Sequence, residues 1–299
     1  MKKYFLALVL LFGLFSSLGG VAYADEIDKC FVYLHSQNYQ LAKQAGENAV
    51  ELYPDSADAH GCLGEAYNYL GDFNSSIKEL KIAERLTSSE KALSVIYSYL
   101  GRDYKNLDDL NTALLYYNRS LKIDTDLNDM EDKSIDLSNI AGIYTDMGNY
   151  NKALEYYNKS LQLTSDPSTI ATIYSNIGAI YSCKGDKSKA IEYFKKSIEI
   201  FQENGDYQGT AQDMINIASP YTDLGNFSKA EYYLTQGLEM MKKLGEKDWE
   251  ADAYEAFGQL YSAQNQEDLA KEYFTKSYDL YKATGNDSEA QRIYETYLK

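Results

Sequence analysis

The chain has 299 residues, with 45 acidic and 29 basic side chains and a formal charge of −16 at neutral pH. So acidic a surface repels phosphate backbones and anionic bilayers, which argues against nucleic acid or a lipid surface as ligand. Three cysteines and two histidines are too few for a disulfide-dense scaffold or a cysteine–histidine zinc site.

The first element in chain order is Met1-Lys2-Lys3, followed by an apolar run from Tyr4 to Leu18 and by Ala22-Tyr23-Ala24. A charged start, an apolar stretch and small exit residues read as a secretory signal over residues 1–24, cleaved after Ala24. The run is short for a membrane span, which needs about 20 residues; an uncleaved anchor is the alternative. Cys30 follows Ile27-Asp28-Lys29 and so does not sit in a lipoprotein box. The expected location is therefore exported, periplasmic or extracellular. Removing residues 1–24 takes away two lysines and no acid, which leaves a formal charge of −18. Cys30 and Cys62 fall on helices expected to be neighbours, so export permits one bridge; unpaired buried thiols are the favoured reading.

Beyond the signal the chain repeats. Tyr67, Tyr104, Tyr144, Tyr181, Tyr221 and Tyr261 are spaced by 37, 40, 37, 40 and 40 residues, the period of a stacked helical array. Three residues before each stands Gly64, Gly101, Ala141, Gly178, Ala218 or Gly258. Nine after it stands Ser76 or an alanine (Ala113, Ala153, Ala190, Ala230, Ala270), and thirteen after it Leu80, Tyr117, Tyr157, Phe194, Leu234 or Phe274. Small residues let two helices approach closely and the large ones fill the gap beside them. A worn copy with Tyr33, Ala42, Ala49 and Pro54 precedes these.

Turns punctuate the units. Gly71, Asp108, Gly148, Gly185, Gly225 and Asn265 come four residues after the tyrosines and suit a left-handed helix end. Three further on, Asn74, Asn111, Asn151, Ser188, Ser228 and Asp268 are the expected N-caps of the second helices. Thr87-Ser-Ser-Glu90 and Ser288 with Gln291 spell capping boxes. The second of these opens a solitary last helix that covers the open end of the array. Pro220 falls inside a predicted first helix, where it removes a donor and crowds the carbonyl of Asn216. It is read as a bend, harmless or functional.

This pattern resembles the tetratricopeptide repeat family, and in its long units the repeats of kinesin light chains and spindle-orientation adaptors. The resemblance implies an all-α, right-handed superhelical solenoid of helix–turn–helix units. They lie at 25–56 (degenerate), 57–93, 94–133, 134–170, 171–210, 211–250 and 251–285, with a capping helix at 286–299. In such arrays one stripe of the first helices lines the concave surface. Here that stripe is Ser138, Gly142, Thr145; Ser175, Ala179, Ser182; and Ile215, Ser219, Thr222, with Arg102 and Lys105 at its entrance and Glu255 at its exit. Beside it stand Asn139, Asn176 and Asn216, one per repeat. A primary amide offers one acceptor and two donors, and a ladder of them holds a passing peptide backbone in the similar adaptor families. The alternative is that each asparagine bonds within its own stack.

No catalytic constellation, phosphate-cradling glycine loop or metal-ligand spacing is found, so neither enzyme nor cofactor is expected. His35 and His60 have no such spacing between them. Of the thirty tyrosines, the repeat tyrosines, Tyr117 and Tyr157 have packing roles. Tyr116, Tyr156, Tyr193, Tyr232 and Tyr273 fall at the edge of the outer face. The expected function is non-catalytic binding of a protein or extended peptide. A self-assembling scaffold, or a cell-wall or glycan binder using exposed tyrosines, are the alternatives.

Overall fold

The computed structural model describes residues 25–299. The signal read over residues 1–24 lies outside the described residues. No strand occurs among these residues, and no helix is long and apolar enough to cross a membrane. The helices pair along the chain into an all-α repeat solenoid and, over the described residues, group into two compact units, 25–127 and 128–299.

In unit 1, α1 (Asp25–His35) pairs with α2 (Tyr39–Leu52), α3 (Ala57–Tyr69) with α4 (Phe73–Leu86), and α5 (Glu90–Asn106) with α6 (Leu110–Asp126). In unit 2, α7 (Met130–Asp146) pairs with α8 (Tyr150–Leu161), and α9 (Pro167–Cys183) with α10 (Lys187–Glu203). The sixth first helix is broken into α11 (Tyr207–Asn216) and α12 (Ala218–Asp223), which pack on α13 (Phe227–Leu244). Then α14 (Lys247–Ala263) pairs with α15 (Glu267–Thr284), and α16 (Asp287–Ile293) closes the unit with a π-type turn over Tyr294–Leu298. The expected cuts at 94, 134, 171, 211 and 251 thus fall inside α5, α7, α9, α11 and α14 rather than between helices.

Close approach within each pair explains the small residue before the repeat tyrosine. A Cβ added to Gly258 would stand 2.5 Å from Phe274, and one added to Gly64 would stand 2.7 Å from Leu80. Ala141 and Ala218 occupy the same register, fully buried. The turn is equally regular. All six turn residues have positive φ, including Asp108 at 61° and Asn265 at 60°, and Gln37 at 60° supplies the same bend in the worn first copy. The N–H of the next residue reaches back to the repeat tyrosine's own carbonyl, as in Asp72 to Tyr67 (3.0 Å), Asn149 to Tyr144 (2.7 Å) and Gln266 to Tyr261 (2.9 Å). This six-to-one bond satisfies a carbonyl that the helix end leaves open.

That geometry corrects the expected caps. With the reversal complete in two residues, the second helix starts at once, and its N-caps are Asp72, Asp109, Asn149, Asp186, Asn226 and Gln266. The first five accept the N–H three residues on, at 3.1–3.4 Å. Asn74, Asn111, Asn151, Ser188, Ser228 and Asp268 stand two residues inside the helices. The capping boxes shift likewise: Ser89, not Thr87, caps α5 through the Ala92 N–H (3.2 Å). Asn286 precedes α16, where Ser288 bonds the Asn286 side chain instead (3.1 Å).

Outside the core runs a second regularity. The repeat tyrosine packs on a tyrosine of the following helix, with ring centroids 5.3–5.6 Å apart, in Tyr104–Tyr116, Tyr144–Tyr156, Tyr181–Tyr193, Tyr221–Tyr233 and Tyr261–Tyr273. The sixth repeat therefore uses Tyr233, while Tyr232 lies one position out of register and is 60% exposed. Lysines cover several of these rings, among them Lys159 over Tyr156, Lys196 over Tyr193 and Lys276 over Tyr273 at 4.3–4.8 Å, each contact stabilising by about 0.5–1 kcal/mol when exposed. These rings already have partners, which weakens the glycan-binding alternative.

Contrary to the favoured reading of the cysteines, Cys30 and Cys62 form a disulfide, fully buried, that ties α1 to α3. Nearby His60 is a buried tether, its ring nitrogens 2.7 Å from Glu79 and 2.9 Å from the Pro54 carbonyl. Polar pairs also enter the interior: Ser94 meets Ser120 (3.0 Å), and Ser134 meets Ser160 (2.8 Å). In the last full repeat the first member of this pair is replaced by Ala251, and the buried Ser277 hydroxyl has no hydrogen-bond partner among the described residues.

Two stability predictions follow from these contacts. Closing the loop between Cys30 and Cys62, 32 residues apart, confines the unfolded chain, so Cys30→Ala with Cys62→Ala is expected to lower unit 1's unfolding free energy by about 3–4 kcal/mol in chemical denaturation. Ser160→Ala should cost unit 2 about 1–2 kcal/mol, because it removes the hydroxyl that bonds both the Ser134 side chain and the Ser134 carbonyl; Ser277→Ala should be neutral or stabilising. Equal losses from the two serines would contradict this assignment.

Candidate functional site

The residues of the expected stripe divide between the two units. In unit 2, successive first helices touch one another, α7 with α9, α9 with α11, and α12 with α14. This brings Asn139 on α7, Asn176 on α9 and Asn216 at the end of α11 onto one side in equivalent places. All three are half-buried. The amides of Asn139 and Asn176 make no hydrogen bond among the described residues, whereas Asn216 Nδ2 donates to Asp213 Oδ1 at 3.4 Å.

The stripe itself is small and neutral. Ser138, Gly142 and Thr145 are half-buried on α7, as are Ser182 on α9 and Thr222 on α12; Ala179 and Ser219 are exposed. Thr145 turns its hydroxyl onto the Ala141 carbonyl (3.0 Å). Two positions depart from the expectation. Ile215 is buried against α13, where a Cβ on Gly237 would stand 2.8 Å from it. Ser175 bonds across to Asp213 on the next first helix (2.6 Å) rather than facing outward.

Glu255 is not a groove-exit charge. It is 9% exposed, because α16 and the turn after it lie against it: Arg292 binds it through both guanidinium nitrogens (2.9 and 2.6 Å), and the Tyr297 hydroxyl donates to it at 3.2 Å. Tyr297 stacks on Phe274 with centroids 3.9 Å apart. The stripe position that would face open space in a last repeat is thus covered by the cap.

Arg102 and Lys105 belong to α5 in unit 1. The Arg102 guanidinium lies over the rings of Tyr69 and Tyr99, at 5.1 and 4.7 Å. Tyr99 donates its hydroxyl to Glu65, whose carboxyl is pushed above its ordinary value chiefly by burial. Arg102 is therefore a packed cation within an aromatic cluster, and Lys105 is exposed.

The sequence reading missed the buried carboxylates. Asp103 accepts Asn68 and Ser76, each at 2.6 Å, and burial pushes it up to about 6. Asp213 accepts Ser175, Asn216 and Ser197. The signal for Asp213 lay in the repeat itself: it stands eight residues before Tyr221, where Ile96, Ile173 and Ala253 stand in other copies and where the copy of Tyr144 also places a buried acid, Asp136. An acid in a core register marks a site where packing alone is not the explanation. Pro220 does break the helix as expected. It cannot donate to the Asn216 carbonyl, and the first helix is interrupted at Ile217. Among the described residues no group of three or more histidine, cysteine or carboxylate side chains is placed to hold a metal ion.

No curated protein sequence matches the chain. Among solved structures, the apo quorum sensor NprR from B. thuringiensis is 15% identical with a TM-score of 0.71, covering 92% of this chain and 86% of its own. A Rap protein complexed with Competence and Sporulation Factor is 15% identical with a TM-score of 0.62, covering 94% of this chain and 97% of its own. A tetratricopeptide repeat protein from Parabacteroides merdae is 15% identical with a TM-score of 0.64, covering 93% and 99%. At this identity the likeness concerns the fold. The tetratricopeptide repeat model matches residues 134–203, 169–243 and 210–283. With that match over the same helix pairs, the chain belongs to the tetratricopeptide repeat family.

Proposed function

We propose that the chain is an exported, non-catalytic scaffold that holds an extended peptide or a protein segment on the first-helix face of unit 2. The observation that carries this reading is the pair Asn139 and Asn176. Two amides in the same register of successive repeats are half-buried and make no hydrogen bond among the described residues, with a neutral stripe of small residues beside them. Open to solvent, these amides are available to a ligand, and a peptide backbone presents alternating donors and acceptors that two such amides satisfy. The Rap structure, solved with Competence and Sporulation Factor bound, shows a protein of similar fold with a bound partner and is consistent with a binding role. Export is supported by the charged and apolar start of the sequence and by the Cys30–Cys62 disulfide, since disulfides persist in oxidising compartments.

Each net hydrogen bond contributes about 0.5–1.5 kcal/mol, so the free amides supply only a few of the roughly 8 kcal/mol behind micromolar binding. The partner's side chains must supply the rest, against the small residues Gly142, Ala179 and Ser219. Replacing Asn139 and Asn176 with Ala should therefore abolish partner capture in a pull-down from the source cell's exported fraction. The circular dichroism melt should move little, because these amides hold nothing in the fold, with a change within about 0.5 kcal/mol. Undiminished capture by the double variant would remove the ladder.

A further inference from the structure

Asp213 is 1% exposed and has no cation beside it. One oxygen accepts Ser175 Oγ on α9 (2.6 Å) and Asn216 Nδ2 (3.4 Å); the other accepts Ser197 on α10. Helix α9 carries no charged residue. No charged side chain of α10, α12, α13 or α14 enters its surroundings. Lys187 on α10 pairs with Asp223 on α12 (2.5 Å), Lys247 with Glu250 (2.7 Å), and Glu255 with Arg292. The carboxylate is thus held by hydroxyls and an amide alone. Two of its three donors, Ser175 and Asn216, belong to the peptide face.

We infer that Asp213 is a positioning residue of that face: ionised, it holds Ser175 and Asn216 inward, and on taking up a proton it releases Asn216 into the register of Asn139 and Asn176. This rests on the reading above. The chemistry is a matter of counting lone pairs and protons. An ionised carboxylate accepts on both oxygens and serves all three donors; a proton on Oδ1, the oxygen that accepts both Ser175 and Asn216, takes a lone pair that one of them uses, so one of the two must let go. The longest bond, Asn216 at 3.4 Å, is the first to yield. The backbone is prepared for it, because Asn216 is the last residue of α11 and Pro220 offers its carbonyl no N–H. Asn216 is therefore held by its amide to Asp213 more than by a continuing helix.

Burial sets the range in which the proton enters. Desolvation pushes the Asp213 carboxyl above its ordinary value, and the three hydrogen bonds offset this only in part. A carboxyl with a raised folded value binds its proton more readily in the folded state than in the unfolded one. As the pH falls through that folded value, this group adds stability instead of removing it. Acidification thus frees Asn216 without Asp213 driving unfolding. Asn176, with Ile173 three residues before it, has no such acid, and Asn139 makes no hydrogen bond to the buried Asp136 among the described residues.

The test follows the side-chain amides of the uniformly labelled full chain by proton–nitrogen correlation between pH 7.5 and 4.5, together with the side-chain carboxyl carbon of Asp213. The Asn216 amide signals should shift with the inflection of the Asp213 carbon, and those of Asn176, which follows no acid, should not. In Asp213→Asn, which keeps the shape and cannot titrate, the movement of Asn216 should vanish. Asn216 signals that stay still through the Asp213 inflection overturn the inference, as does an undiminished titration in Asp213→Asn. The wild-type titration decides even if that variant folds poorly. No partner enters this measurement, so its outcome and that of the pull-down stand or fall separately.

Discussion

The close approach of the two helices in each repeat is the contact on which the rest depends. At Gly258 and Gly64 a single added methyl would come within 2.5 and 2.7 Å of the facing Phe274 or Leu80, well inside van der Waals contact. Where alanine replaces glycine, at Ala141 and Ala218, it is wholly buried. That approach sets where the first helix must stop, and the stop is made by one positive-φ residue and one cap. The repeat tyrosine joins the two tasks: its carbonyl accepts the amide that closes the turn, and its ring packs on the next helix's tyrosine. Packing, reversal and outer cover are written within a few residues of one another, so they repeat together.

With the core and turn repeating so faithfully, the informative residues are those that do not repeat. Serines at Ser94, Ser120, Ser134 and Ser160 bond in pairs inside the stack. Where Ala171 replaces the first serine, Ser197 turns to Asp213; where Ala251 does, Ser277 is left without a partner among the described residues. Asp103 and Asp213 place carboxylates where neighbouring copies use apolar or small side chains, at a desolvation cost that hydroxyl and amide donors, and at Asp103 also the Arg102 charge, offset in part. The cap departs in another way. Arg292 and Tyr297 satisfy Glu255 and cover a stripe position that a further repeat would otherwise cover.

Periodicity made the helix pairs, the turn residues and the small-to-large contacts legible, because each depends on spacing alone. The caps were misplaced by two residues because Asn74 and Asn151 are good capping types lying beside the true caps, Asp72 and Asn149. Only the six-to-one bond to the tyrosine carbonyl decides between them. Tyr232 was taken for Tyr233 for a similar reason, two tyrosines in succession where only one can reach Tyr221. The stripe was read as facing open space because helical spacing gives a direction and not a neighbour. Ser175 and Glu255 point the expected way and meet the next helix there.

The same limit explains why the asparagine ladder is uneven. Asn139, Asn176 and Asn216 are equivalent by spacing, and Asn139 also follows a buried acid, Asp136, by three residues; yet only the third bonds its acid among the described residues, and only the third precedes a helix break. A ladder of identical rungs binds any backbone of the right length, so it offers affinity without control. A rung tied to a buried carboxylate is conditional: its amide is available only when Asp213 no longer needs it. Proline four residues on makes the condition workable, since a rung locked in an unbroken helix would have less room to turn. The two residues that break the repeat's rules, Asp213 and Pro220, therefore act on the same side chain, and it belongs to the face where a partner would lie.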